Sequence, residues 1–268
     1  MLPITVIVPV RNAESMVEAC LAGIVRADPG EIIVVDGNST DRTVEITRRF
    51  PVTILSDNGR GVPAARMLGI HAARYPVVAL IDVDIVLPEG ALEALYAEFS
   101  DGNYDGLQAG LVSISGKGYW GRALVAHHNN GRSKNWPGVM ATIFRKQVFL
   151  DHPFDERFRS GEDIELRWRL KKAGLKLGVS RQTKVQHRFG DTYAVAKDQW
   201  LQDGKGLGRM VAKYGLPALS LLGIPAAGAV RGILLSLVRF QPGWIPYYLG
   251  YLVYNYAAMP GGLGERMT

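Results

Sequence analysis

The stretch Val77-Val78-Ala79-Leu80-Ile81-Asp82-Val83-Asp84 decides how the chain is read. Five apolar residues in a row suit a short strand buried on both faces, as in parallel α/β sheets. The run stops at two carboxylates two positions apart. In an open α/β sheet, ligands gather beyond the carboxyl ends of the strands. A pair of carboxylates there can hold a hard divalent cation and, through it, a diphosphate, because Mg²⁺ is usually bound by one or two carboxylates plus substrate phosphates. An acidic strand-to-loop turn without a ligand accounts for the same residues, so the rest of the chain has to decide.

Toward the N-terminus the pattern repeats. Ile4 to Pro9 reads as a strand followed by a helix from about Ala13 to Ala27, with Asn12 available as its cap. Glu31 to Val35 ends in Asp36-Gly37-Asn38-Ser39-Thr40-Asp41, where Ser39 and Asp41 supply capping groups and leave Asp36 free, and a helix follows through Phe50. Val52 to Ser56 leads into Asp57-Asn58-Gly59-Arg60-Gly61 and a helix up to about Arg74. Strands alternating with helices imply parallel βαβ units, whose polar or glycine-rich strand ends share one edge of the sheet. Toward the C-terminus the rhythm changes. A helix at Glu89 to Phe99 and a strand at Gly106 to Ser113 precede Gly116 to Asn135, whose glycine, asparagine and histidine content reads as a mobile loop over the site. A strand at Val139 to Phe144, a short helix at Phe154-Asp155-Glu156 and an amphipathic helix from Ile164 to Ala173, stopped by Gly174, complete this part.

At 268 residues and 47% hydrophobic content, the chain can bury a sizeable core. Its single cysteine, Cys20, falls in an apolar helix and reads as an inert core thiol in a reducing compartment. The apolar N-terminus lacks a basic lead-in and a cleavage site, which makes it a first strand and no signal peptide. Between Leu166 and Gly215 stand twelve basic and three acidic residues. Such a block before an apolar tail suits anionic headgroups and phosphate-bearing substrates, or simply a solvated helix face, and no nucleic-acid motif accompanies it. Leu216 to Val238 is almost wholly apolar and about long enough to span a bilayer, although Pro217, Pro225 and Arg231 interrupt it. Trp244 to Leu263 is aromatic, with Tyr247, Tyr251 and Tyr254 on one helical face, a composition of membrane interfaces. The expected division is a catalytic domain over 1–192, a basic amphipathic connecting helix over 193–215, and an apolar helical hairpin over 216–268 associated with the cytoplasmic face of the cell membrane; an interfacial or re-entrant hairpin, two crossings and a soluble oligomer interface are all open to this last stretch.

Four blocks, in order, resemble family 2 glycosyltransferases of the GT-A fold: Val6-Ile7-Val8-Pro9-Val10-Arg11-Asn12, Val34-Val35-Asp36-Gly37-Asn38-Ser39-Thr40-Asp41, Leu80-Ile81-Asp82-Val83-Asp84 and Gly161-Glu162-Asp163. Together they cover about residues 4 to 190. The resemblance implies a Rossmann-like, mostly parallel sheet flanked by helices, and a UDP- or GDP-sugar donor. It assigns Asp36 to the base, Pro9 and Arg11 to the loop that cups the nucleoside, and Arg66 to the phosphates, although Met67 stands where the family usually has asparagine. It gives Asp82 to the ribose or to indirect support of the metal, and Asp84 to Mg²⁺ or Mn²⁺ bridging the phosphates. A cation there would neutralise charge developing on the departing diphosphate.

Asp163 matches the family's base, which takes the proton of an acceptor hydroxyl and so inverts the anomeric centre. His187, 24 positions later, matches a histidine that completes the metal site in some members. Trp136, Glu162 and Arg188 are candidate substrate contacts. Composition adds a lipid-linked or glycan acceptor. Two other functions share these features: a membrane-anchored nucleotide-sugar-binding scaffold without turnover, and a sugar nucleotidyltransferase, which lacks its phosphate loop here. A dehydrogenase fits poorly, because Gly204-x-Gly206-x-Gly208 follows no strand.

Overall fold

The computed structural model describes residues 1–131 and 136–264. Its elements in chain order are β1 (Leu2–Val10), α1 (Val17–Arg26), β2 (Pro29–Asp36), α2 (Thr43–Thr47), β3 (Thr53–Ser56), α3 (Val62–Ala72), β4 (Val77–Leu80), β5 (Ile85–Val86), α4 (Ala91–Asp101) and β6 (Gly106–Ser115). They continue with α5 (Tyr119–Asn130), β7 (Thr142–Arg145), α6 (Lys146–Asp151), α7 (Glu162–Lys172), β8 (Leu177–Phe189), α8 (Tyr193–Tyr214), a 3-10 helix (Leu216–Gly223), α9 (Ile224–Val238) and α10 (Ile245–Gly264).

Two compact units result. The first comprises Met1–Val112, Ser133–Glu156 and Leu166–Arg188, and holds nearly all of an eight-stranded sheet in the order β3-β2-β1-β4-β7-β6-β8-β5. As the α/β reading requires, β3, β2, β1 and β4 are parallel neighbours. Beyond β4 the direction reverses, and β7 pairs antiparallel with both β4 and β6. The central strands are apolar on both faces because helices cover both. Val6, Val8 and Val34 face one core with Leu21 and Ile24 of α1, while Ile7, Ile33 and Val35 face the other with Ile70 of α3 and Phe149 of α6.

The second unit comprises Ser113–Arg132, Arg157–Glu165 and Phe189–Thr268. Its core joins Ala123 and Leu124 of α5, Trp200 of α8, Ala229 of α9, and Tyr247, Tyr248 and Tyr251 of α10.

Three local expectations are corrected. The stretch read as a mobile loop from Gly116 is largely helix α5, because Ala123 and Leu124 bury one helical side; residues 132–135 of that stretch lie outside the described residues. No helix forms at Phe154-Asp155-Glu156. The helix is α6, upstream of Pro153, and Phe154 instead stacks on Phe149 with ring centroids 5.3 Å apart. Asn12 does not cap α1. It adopts φ 48°, its side chain accepts a hydrogen bond from Thr40 N–H (2.8 Å), and its own N–H donates to Ser39 Oγ (2.9 Å), so it ties the loop after β1 to the loop after β2.

Candidate active site

The first unit places the donor-side candidates at the carboxyl ends of β1, β2 and β4. After β4 the chain makes a tight turn, closed by Ile85 N–H donating to Asp82 O (3.0 Å), and this turn sends its two carboxylates to different partners. Asp82 Oδ1 accepts from Arg66 Nη2 at 2.7 Å. Arg66, on α3, is only 2% exposed and carries its guanidinium 5.6 Å from the centroid of Phe154. The arginine given to the phosphates is therefore, in this structure, the ion-pair partner of Asp82.

Asp84 turns toward β8. Ile85 lies opposite His187 in the β5–β8 ladder, and Arg188 N–H donates to Asp84 O (3.0 Å), which brings the carboxylate of Asp84 alongside the buried imidazole of His187. His187 Nε2 and Asp84 Oδ2 are 3.2 Å apart. The other oxygen, Asp84 Oδ1, is buried with no hydrogen-bond partner among the described residues. A carboxylate oxygen without a protein partner keeps its lone pairs available to a cation or a water. One carboxylate and one imidazole form an acceptable donor set for Mn²⁺ or Mg²⁺ when phosphate and water oxygens complete the shell. No group of three or more His, Cys, Asp or Glu side chains able to hold a metal occurs among the described residues, so protein donors alone do not make a closed site.

At the nucleoside end, Asp36 is 8% exposed, and both its oxygens face Ser39 N–H at 3.2 and 3.3 Å. The expectation of a free carboxylate is corrected to one that holds its own loop, with lone pairs left over. Pro9 is buried opposite Val35 in the β1–β2 ladder and Arg11 is exposed beyond the strand. Sequence reasoning gave no role to Asp57. It is 4% exposed, and its two oxygens accept from Gly59 N–H (2.8 Å) and Gly61 N–H (2.9 Å), which shapes the loop before α3. The signal was present: an aspartate two and four positions before glycines is the pattern of an Asx turn.

Arg188 donates through Nη2 to Met16 O (2.9 Å), so its guanidinium rests on the chain entering α1. Trp136 is 44% exposed with the Arg167 guanidinium 4.6 Å above its ring. The cationic stretch that composition offers to headgroups is in large part occupied within the fold. Arg169 donates to Pro153 O (2.7 Å), Arg209 to Ser160 Oγ (2.6 Å) and Lys213 to Glu165 Oε1 (2.5 Å).

Asp163 and Glu162 open α7 within the second unit, where a helix N-terminus favours negative charge. Gly161 precedes them at φ +75°, and a Cβ there would come within 2.8 Å of Gly206 Cα of α8, so both conformation and packing demand glycine. Asp203, one turn before Gly206, hydrogen-bonds Gln199 Nε2 (2.9 Å). Burial, with Asp163 adding to it, pushes its carboxyl up to about 7. On α5, burial and then the Arg231 charge push His127 down to about 4.

A family model for glycosyl transferase family 2 matches residues 5–158, more than half the chain. The chain belongs to glycosyl transferase family 2. It is similar to the succinoglycan biosynthesis protein ExoA of Rhizobium meliloti, 23% identical over 97% of this chain and 86% of that one. It also resembles a pre-mycofactocin glycosyltransferase of Mycobacterium tuberculosis, 27% identical over 69% of this chain and 42% of the relative. In fold, the family 2 chain is similar to the mannosyltransferase PcManGT of Pyrobaculum calidifontis, solved with GDP-Man and Mn²⁺ (TM-score 0.66, 18% identity, 96% of this chain and 87% of that one). A second likeness is S. aureus TarS 1–349 with UDP-GlcNAc (TM-score 0.59, 15% identity, 97% and 91% covered). The chain is thus a family 2 glycosyltransferase of the GT-A fold.

Proposed function

We propose that this family 2 enzyme is a metal-dependent, inverting glycosyltransferase that moves a sugar from a UDP- or GDP-sugar to a hydroxyl or phosphate of a lipid-linked or glycan acceptor, at the cytoplasmic face of the membrane. One observation carries the metal dependence: the unpartnered, buried Oδ1 of Asp84 beside His187 Nε2. Asp84 and His187 would hold Mg²⁺ or Mn²⁺, which when bound neutralises charge on the departing nucleoside diphosphate. That PcManGT is solved with GDP-Man and Mn²⁺, and TarS with UDP-GlcNAc, supports a nucleotide-sugar donor.

In this reading Arg66 fixes Asp82 toward the ribose, while Asp36, Pro9 and Arg11 border the nucleoside. Asp163 takes the acceptor's proton at the start of α7, and Glu162, Trp136 and Arg188 remain candidate substrate contacts. The lipid-linked acceptor rests on the apolar C-terminal helices and on the likeness to a succinoglycan biosynthesis protein. The test is a thermal-shift and calorimetric series of UDP- and GDP-sugars with and without Mn²⁺. Metal-enhanced donor binding in the wild type that Asp84→Ala abolishes is the expected result. Equal donor affinity of the two proteins in Mn²⁺ overturns the metal assignment, and binding without sugar transfer to any acceptor favours a scaffold.

A further inference from the structure

Helices α9 and α10 have their residue types turned around. The side of α9 that packs on its own unit is made of Pro225, Ala229, Gly232 and Ser236, all buried. Its opposite side presents Val230, Leu234 and Leu237, each more than half exposed. On α10, Tyr247, Tyr248, Tyr251 and Asn255 turn inward while Leu249 and Val253 turn outward, again more than half exposed. A helix that meets water carries polar residues on its outer side. Bulky aliphatic side chains outside a seam of small residues are the arrangement of helices that meet lipid. Charge agrees with composition: from Leu216 to Gly264 there is no Asp or Glu, and Arg231 and Arg239 are the only charged side chains, which complements anionic headgroups.

The layer beneath argues against a crossing. α10 lies along α8, with Gly204 against the backbone of Asn255, Gly208 against Met259 and the Trp200 ring against Gly250. α8 carries Lys197, Asp198, Asp203, Lys205, Arg209 and Lys213, and such groups are costly to place in hydrocarbon. α9 is held by polar groups as well. Arg231 Nη1 donates to Asn130 O (2.5 Å) and Arg239 Nη1 to Asn130 Oδ1 (2.8 Å), both at the end of α5. Each helix therefore has one side fastened to polar protein and one side bare.

We propose that α9 and α10 form a monotopic anchor, lying in one leaflet with Val230, Leu234, Leu249 and Val253 among the acyl chains and without crossing the bilayer. This deepens the membrane reading above and rests on no claim about donor, metal or transfer.

Flotation of the full chain with phosphatidylcholine vesicles, with and without phosphatidylglycerol, tests it in the absence of nucleotide sugar. The wild type should float, more strongly with phosphatidylglycerol, and should stay bound in high salt. Leu234→Glu with Val253→Glu should lower the bound fraction about tenfold or more, with unchanged circular dichroism. A wild type that stays at the bottom of the gradient, or a double variant that floats equally well, overturns the anchor. If the wild type instead forms a stable dimer in solution that the double variant abolishes, the outer face belongs to a second copy.

The geometry has its own test, because the sole native cysteine, Cys20, is fully buried and Phe240, between the two helices, is 92% exposed. In Phe240→Cys, a membrane-impermeant maleimide should label from the side of protein addition, or fail to label both before and after vesicle lysis. Labelling only after lysis places residue 240 across the bilayer and overturns the monotopic arrangement.

Discussion

Asp82 and Asp84 share a motif but not a partner, and their variants should separate accordingly. If Asp84 holds the metal as proposed, Asp84→Ala should leave the fold intact and lower kcat by about a thousandfold or more, through loss of a charged ligand on the leaving-group side; steady-state kinetics across a Mn²⁺ titration checks this. Arg66→Ala should act first on stability. It breaks a partly buried ion pair and leaves Asp82 without its counter-charge, costing about 3 kcal/mol in urea denaturation, an effect that Asp84→Ala lacks. Asp163→Asn should keep donor affinity while losing most transfer, read by calorimetry beside a transfer assay. Motif matches singled out Asp84, His187 and Asp163, and of these the fold brings Asp84 and His187 side by side at 3.2 Å. The engagement of Asp36 by Ser39 and of Arg66 by Asp82 was hidden, since both are contacts that only the closed fold brings about.

Among the elements, the parallel half of the sheet was readable from its apolar runs, and the helices of the second unit were harder. α5 was missed because its asparagines and histidines mask a modest apolar stripe. The glycines of α8 looked like a failed nucleotide motif, yet they are places where backbones meet. Gly204→Val would drive a Cβ branch into the main chain of Asn255 and should cost about 3 kcal/mol, measurable as a drop in urea midpoint. α5 and α8 also carry opposing proton linkages. From about pH 4 to 6.5 the unfolded chain holds a proton on His127 that the folded chain lacks, so this group weakens folding as pH falls. From about pH 4 to 7 the folded chain holds a proton on Asp203 that the unfolded chain releases, so this group weakens folding as pH rises. Their contributions oppose each other over the shared interval. Asp203→Asn should give a stability that climbs from pH 4 to 6.5, and His127→Gln one that declines from pH 4 to 7, in denaturation series at fixed ionic strength.

For the whole molecule, the sequence separates residues 216–268 as an appendage, and composition alone could not reveal how deeply that stretch is built in. Tyr247, Tyr248 and Tyr251 share a core with Trp200 and Leu124, so deletion of 216–268 should lower the melting temperature sharply, by scanning calorimetry, and its loss of activity would report unfolding rather than acceptor choice. Outer-face point variants are the sounder probe of lipid dependence.

The glycines of α8 carry one more consequence. On one side its backbone touches that of α10 at Gly204 and Gly208, and on another it touches Gly161, two residues before Asp163, at Gly206. Side chains yield by changing rotamer, but main chains in contact have no such slack, and close-packed interiors transmit strain. Gly204, Gly206 and Gly208 therefore make α8 a main-chain link between α10 and the root of α7.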